Sequence, residues 1–189
     1  MPKIVTDEAV FRATVQTVIE RGYTGATTKQ IAAAANISEV TLFRKYGSKA
    51  ELVRQAIAML TDAVDFTTAA EYTGNVTADL LRVVQAYQSV AEENGQFMYV
   101  LFTEVPRHPE LSGLLGRPLG MMNTVGRLMA RYQAEGVLQP EHPLHAVAAL
   151  LGPLMAMNMM REVRPDMAPP LLDLVAHVEG FVNGRTANS

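Results

Sequence analysis

Four histidines and nineteen acidic residues are this chain's supply of metal-binding and acid–base groups, and two of their spacings could do chemistry. Glu104 and His108 stand at i, i+4, and His142 and His145 at i, i+3, so each pair would put two ligands on one helical face. Pro106 falls inside the first pair and Pro143 inside the second, which disrupts that regularity, and no third ligand accompanies either. Loop or surface histidines are the expectation. The chain has no cysteine, hence no disulfide, thiolate metal site or cysteine nucleophile. It also has no Gly-rich phosphate loop and no nucleophile elbow. The residues therefore point away from an enzyme: no catalytic group, no metal and no cofactor is expected.

A different chemistry is written in the cations. The formal net charge of -3 over 189 residues would disfavour a polyanionic partner if it were evenly spread. It is not. Between Arg21 and Arg54, the six residues Arg21, Lys29, Arg44, Lys45, Lys49 and Arg54 meet only Glu39 and Glu51, which leaves +4. All four lysines lie within the first 49 residues. A local basic patch on an acidic chain is the footprint of phosphate binding.

The elements that would carry these cations lie between Thr27 and Lys49. Ile31, Ala32 and Ala35 repeat at helical spacing, Asn36-Ile37-Ser38 interrupts them, and a second short helix follows. Thr27 or Thr28 can cap the first helix and Ser38 the second, each offering an oxygen to an unpaired amide. Small alanines at 32 to 35 allow a close, steep crossing, with Ile37 as the plug in the turn. Leu42 and Tyr46 face the core, which leaves Ser38, Glu39, Thr41, Phe43, Arg44 and Lys45 to face outwards. The unit reads as a helix-turn-helix, whose second helix enters the major groove of DNA.

The ordered set Gly22-Tyr23, Thr27-Thr28, Ile31-Ala32, Ala35-Asn36-Ile37-Ser38, Thr41-Leu42-Phe43, Tyr46-Gly47-Ser48-Lys49 and Leu52 resembles the DNA-binding domain of TetR-family transcriptional repressors. The resemblance covers about the first third of the chain. It implies an all-α protein with an N-terminal three-helix helix-turn-helix DNA-binding domain, followed by a helical ligand-binding and dimerisation domain. It places Thr28, Thr41, Phe43, Lys45 and Lys49 mainly on DNA phosphates, and Ser38, Glu39, Val40 and Arg44 nearer base edges. Phe43 stands where the family commonly has tyrosine, and Glu39-Val40 where a small or basic pair is common. Glu39 has two readings: a carboxylate stabilised by the positive end of the helix dipole, or an acceptor for a cytosine amino group.

Around this unit, a first helix should open at Thr6 with Asp7 and Glu8 in its first turn and stop at Gly22. Ser48 and Glu51 form a capping box for a fourth helix that runs to about Val64. A boundary near residue 65 gives domains 1–65 and 66–189. Beyond it, helices are expected from Thr77 to Asn94-Gly95, from Pro118 to Glu135, from Pro143 to Val163, and from Ala168 or Pro169 to Asn183-Gly184, with a short piece at Pro109–Leu115. No segment alternates with period two.

Nine of the 11 methionines lie at or beyond Met98. Methionine adapts to irregular shapes, so this density suits either a core or interface filler or a pocket for a mainly apolar ligand. The pocket reading draws on Met98, Tyr99, Phe102, Met121, Met122, Val125, Met155 and Met159, with Pro153 expected to kink the penultimate helix beside them. Spare apolar faces on the last two helices, together with the resemblance, imply a homodimer. The N-terminus has no apolar stretch of signal-peptide length and no uninterrupted apolar run spans a membrane, so the cytoplasm is expected. The sequence thus reads as a regulator that binds a near-palindromic double-stranded DNA operator and releases it when a small-molecule effector binds. The rival reading is a helical ligand-binding or enzymatic bundle with a relic helix-turn-helix.

Overall fold

The computed structural model describes residues 5–62 and 66–186. The described residues form α-helices and 3-10 turns without strands; one isolated bridge pairs Leu138 with Thr186. Packing divides the chain into two compact units, Met1–Ala63 with Gln96–Arg117, and Val64–Gly95 with Pro118–Ser189. A single cut near residue 65 misses the return of 96–117 to the first unit.

In the first unit, α1 spans Asp7–Gly25, and Thr6 caps it by accepting from the Ala9 amide at 3.3 Å. Gly22 breaks this helix at φ 68°, a left-handed value that a side chain disfavours, and one further turn follows it to Gly25. The buried hydroxyls of Thr14 and Thr17 donate to the carbonyls of Val10 and Ala13, so neither is left unpaired. Helix α2 covers Thr28–Ala34 and opens with a full capping box between Thr27 and Gln30, which resolves the cap in favour of Thr27. Asn36 then takes φ 56°, a conformation asparagine tolerates better than most residues, and α3 follows over Glu39–Tyr46. Only Ala32 and Ala35 of the four alanines are buried at the crossing.

Helix α4, Lys49–Asp62, keeps half of its expected capping box. The Glu51 amide donates to Ser48 Oγ at 3.1 Å, but the Glu51 carboxylate turns to Arg54 and Gln55. Arg54, then Gln55, hold that carboxyl down to about 2. Two apolar clusters fix the unit. Val10, Ile31, Leu42, Tyr46 and Leu52 close the core under α2 and α3. Val18, Tyr23, Val53, Ile57, Phe97 and Leu111 join α1 and α4 to the 96–117 segment.

The second unit starts with the short helix α5, Phe66–Ala69, within a stretch whose small and polar residues read as a break. Helix α6 covers Val76–Glu104 and does not stop at Asn94-Gly95. Its cap is Asn75, whose Oδ1 accepts from the Ala78 amide at 3.0 Å, and not Thr77. A glycine inside a helix costs only about 1 kcal/mol. Burial of Leu80, Val83 and Val84 before Gly95 and of Phe97 after it outweighs that. The 3-10 turns Val105–Arg107 and Pro109–Leu115 lead to α7, Gly116–Ala134, and Gly136 at φ 71° turns the chain just after it.

Helix α8 covers Pro143–Val163 as expected, with Pro153 inside it. After a 3-10 turn at Pro165–Met167, helix α9 covers Leu174–Asn183. Its start is later than Ala168 because Asp173 caps it, accepting from the amides of Val175 at 3.0 Å and Ala176 at 3.1 Å. Leu80, Val84, Val125, Met129, Tyr132, Leu150 and Phe181 lie in this unit's core. Beside it, the fully buried Asp79 carboxylate accepts from the Thr73 amide at 2.7 Å, the Thr73 hydroxyl, Tyr132 OH at 2.5 Å and Arg82 at 2.9 Å, which pins the 73–75 turn to α6 and α7.

Candidate nucleic-acid interface

Every side chain of α3 has a definable place. Leu42 and Tyr46 point into the core, at 0% and 3% exposure. Ser38 Oγ accepts from the Thr41 amide at 3.1 Å and lies 2.8 Å from Thr41 Oγ1, so the cap and its neighbour form one small hydroxyl pair at the head of the helix. Glu39 is half-buried, and its Oε1 accepts from Thr28 Oγ1 at 2.5 Å. That bond ties the first turn of α3 to the first turn of α2. Glu39 also gains from the dipole of the helix it begins.

At the other end of α3, Lys45 forms an ion pair with Asp7 of α1, and Tyr46 OH donates to the same carboxylate. Lys45, then Tyr46, draw the Asp7 carboxyl below its ordinary range, and Asp7 in turn raises Lys45. Burial, followed by Asp7, raises the Tyr46 phenol. Lys49, in the first turn of α4, turns inward: Nζ donates to the Tyr23 carbonyl at 2.8 Å and sits 4.1 Å from the Tyr23 ring centroid. The nine residues assigned to DNA therefore split. Thr28, Ser38, Glu39, Val40, Thr41, Phe43, Arg44 and Lys45 gather along α3 and the start of α2, whereas Lys49 is engaged with Tyr23.

What remains on the outer side of α3 is short. Val40 is 77% exposed and Phe43 47% exposed, and Arg44 is exposed with no hydrogen-bond or ion-pair partner among the described residues. These positions are related by i, i+3 and i, i+4 and share one face. Asp7 stands in the sequence as a helix-dipole residue, and its pairing with Lys45, 38 positions away, leaves no local signal.

The eight residues proposed for an effector pocket do not all fall in one unit. Met98, Tyr99 and Phe102 belong to 96–117 of the first unit, where Met98 packs beside the Phe97 and Leu111 cluster. Met121, Met122, Val125, Met155 and Met159 belong to the second, where Val125 is buried in the core and Met155 and Met159 are exposed. That second unit also holds an open cavity of about 320 Å³, lined by Ala91, Glu92, Asn158, Arg161, Glu162 and Leu171. Its wall is more polar than the methionine-rich pocket expected.

The histidine pairs have local roles. His108 Nε2 lies 2.8 Å from Thr24 Oγ1 and 3.6 Å from Glu104, and its ring packs on Tyr23. His142 Nδ1 accepts from the Leu144 amide at 3.3 Å as the cap of α8, with the His145 ring tilted against it at 5.2 Å. Among the described residues no three His, Cys, Asp or Glu side chains converge as a metal site.

Among the described residues, then, a helix-turn-helix with an exposed face on its second helix is set among further helices. Residues 10–56 match the model of the bacterial regulatory proteins of the tetR family. That match takes in α2 and α3 with most of α1 and the first half of α4. The chain is 30% identical over 102 residues to an uncharacterized HTH-type transcriptional regulator of Mycobacterium tuberculosis, a match that covers 54% of this chain and 49% of that one. It is 38% identical over 53 residues to the HTH-type regulator YvkB of Bacillus subtilis, 28% of either chain. The chain spans about half the length, or less, of the curated relatives it matches. A transcriptional regulator of Pseudomonas aeruginosa PAO1 superposes with a TM-score of 0.77 at 19% identity, covering 94% of this chain and 88% of that one. One from Rhodococcus sp. Rha1 superposes at 0.72 with 16% identity, covering 97% and 100%. At such identities these two show the fold alone.

Proposed function

We propose that this protein is a homodimeric repressor that binds a near-palindromic operator and leaves it when a small, mainly apolar effector binds the second unit. The observation that carries the DNA-binding part is the exposed face of α3, held by bonds at both ends and lying within a segment of charge +4. Thr28, Thr41 and Lys45 lie at the flanks suited to phosphates, and Val40 and Arg44, with Phe43 on the same face, at the centre suited to base edges. Ser38 and Glu39 set the head of the helix. Under this reading the protein is not an enzyme and works in the cytoplasm, where its operator is.

The dimer reading is supported by α8. This helix is long and apolar enough to cross a membrane by length and composition, with less than a third of its most apolar stretch buried. One side packs Ala146, Val147, Leu150, Leu151 and Leu154 inward, and Met155, Met159, Met160 and Val163 are exposed. A helix that is apolar all round is one buried on both sides. A second copy would cover the outer side, next to the exposed Val175 of α9.

Binding sites selected from random double-stranded DNA by the full chain test this reading. The expected result is one near-palindromic sequence, with two half-sites about 34 Å apart or a multiple of that. Its affinity should fall steeply with salt, by about 0.9 log units per log unit of salt for each phosphate neutralised. Recovery of no sequence, with salt-insensitive binding, would overturn it.

A further inference from the structure

We propose that Val40 reads the 5-methyl group of a thymine in each half-site, and is thereby the main apolar determinant of operator sequence. The inference rests on the DNA-binding reading above and follows from what each α3 side chain has left to offer. Ser38 and Thr41 are bonded to one another, Glu39 to Thr28, and Lys45 and Tyr46 to Asp7. Leu42 is in the core. The polar groups that could take up base-edge hydrogen bonds are thus largely engaged within the protein. The outward face is left with two apolar side chains and one guanidinium.

Val40 is the most exposed large hydrophobic residue described, at 77%. It lies in the first turn of α3, at the end of a recognition helix that contacts base edges. Such a side chain gains nothing from phosphates and nothing from water. Of the groups displayed in the major groove, only the thymine methyl is apolar, and contact with it distinguishes T·A from the other pairs. Phe43, one turn on, walls the same side and limits the water that could reach the contact. The Thr28 bond to Glu39 matters here because it fixes the turn that presents Val40. Arg44, at i+4, places its charge next to that methyl contact and can reach a phosphate or a guanine edge.

The test starts from the selected operator and replaces each thymine in turn by uracil, which removes the 5-methyl group and nothing else. Wild-type protein should lose about fourfold in affinity at one thymine position per half-site, the effect of leaving one methyl group unburied. Val40→Ala should bind the thymine and uracil forms of that position alike, and keep normal sensitivity elsewhere. Because Val40 is on the surface, this variant should keep the wild-type helical circular dichroism and melting temperature. Leu119→Ala, at an exposed apolar residue of α7 with no place on α3, serves as the comparison and should retain discrimination at the Val40 position. If no thymine responds to loss of its methyl, or if Val40→Ala discriminates as wild type does, the inference is wrong while DNA binding stands. If selection recovers no sequence at all, the DNA-binding reading has failed and the inference falls with it.

Discussion

Thr28 Oγ1 donates to Glu39 Oε1 at 2.5 Å, joining the heads of the two helices of the helix-turn-helix. A carboxylate so engaged is held toward the first turn of α2, so its orientation is set by that bond and not by a base edge. Glu39→Ala should therefore leave the selected DNA sequence unchanged, lower stability by about 1 kcal/mol, and tighten binding to all sequences by removing a charge near phosphates. Thermal melts and site selection on both proteins check this. A preference relaxed at one C·G position would return Glu39 to the role of a base reader.

Asp7 holds Lys45 and Tyr46 together. In the absence of DNA, this pair withholds a cation that phosphates would otherwise attract. Asp7→Asn keeps an acceptor for Tyr46 and removes the charge. Affinity should rise by up to about fivefold, the upper range of an exposed ion pair, and Lys45→Ala in turn should lower the salt slope by about one. Fluorescence anisotropy over a salt series separates the two effects. An unchanged affinity in Asp7→Asn would mean that Lys45 already reaches phosphate from its place beside Asp7.

Most of the helix-turn-helix was legible because its determinants are local: Thr6, Thr27 and Ser38 cap by bonds three residues long, and Leu42 and Tyr46 follow from helical spacing. What was not legible depends on distance along the chain. The pairing of Asp7 with Lys45, and of Lys49 with the Tyr23 carbonyl, needs the tertiary fold. The same holds for α6. Asn94-Gly95 is a sound local stop signal, overruled because apolar residues on either side of it are buried. The place of 96–117 in the first unit has the same origin, since nothing in the sequence near Phe97 and Leu111 tells which core they enter.

Lys49 should behave unlike Lys45. Its ammonium donates to the Tyr23 carbonyl and lies over the Tyr23 ring, so Lys49→Ala removes a charged hydrogen bond and a cation–π contact from the core of the first unit. The loss should be roughly 2 kcal/mol of stability, with the salt slope of DNA binding changed by less than one. Chemical denaturation beside the salt series decides it. A full unit lost from the slope at unchanged stability would place Lys49 on a phosphate instead.

Asp79 is the fully buried carboxylate of the second unit among the described residues. Burial pushes its carboxyl up, but the bonds from Thr73, then Tyr132 and Arg82, more than offset this and leave it below the ordinary value of 3.8. A carboxyl lowered in the folded state stabilises above its ordinary value, and that stability is lost as pH falls through the folded value. Wild-type protein should therefore weaken as the pH drops below about 4. Asp79→Asn, destabilised by about 2–3 kcal/mol at neutral pH because Arg82 loses its charged partner, should lose less over the same range. Equal acid sensitivity of the two proteins would assign the loss to other carboxylates.

The outer side of α8 provides the test of assembly. Met155 and Met159 stand at i, i+4, with Met160 and Val163 on the adjoining ridge, and all four are exposed although the opposite side of the helix is packed. Burial of such side chains contributes about 1.5–3 kcal/mol each, so a carboxylate placed among them would have to be desolvated beside its symmetry mate. Met159→Glu should convert a dimer to a monomer in sedimentation equilibrium at micromolar concentration. Because Met159 is on the surface of one chain, the helical circular dichroism of the variant should be preserved. Operator binding should fall by orders of magnitude, since one helix-turn-helix alone meets only one half-site, while a half-site fragment should be bound as weakly by the variant as by wild type. A Met159→Glu variant that still sediments as a dimer would move the interface off this face of α8.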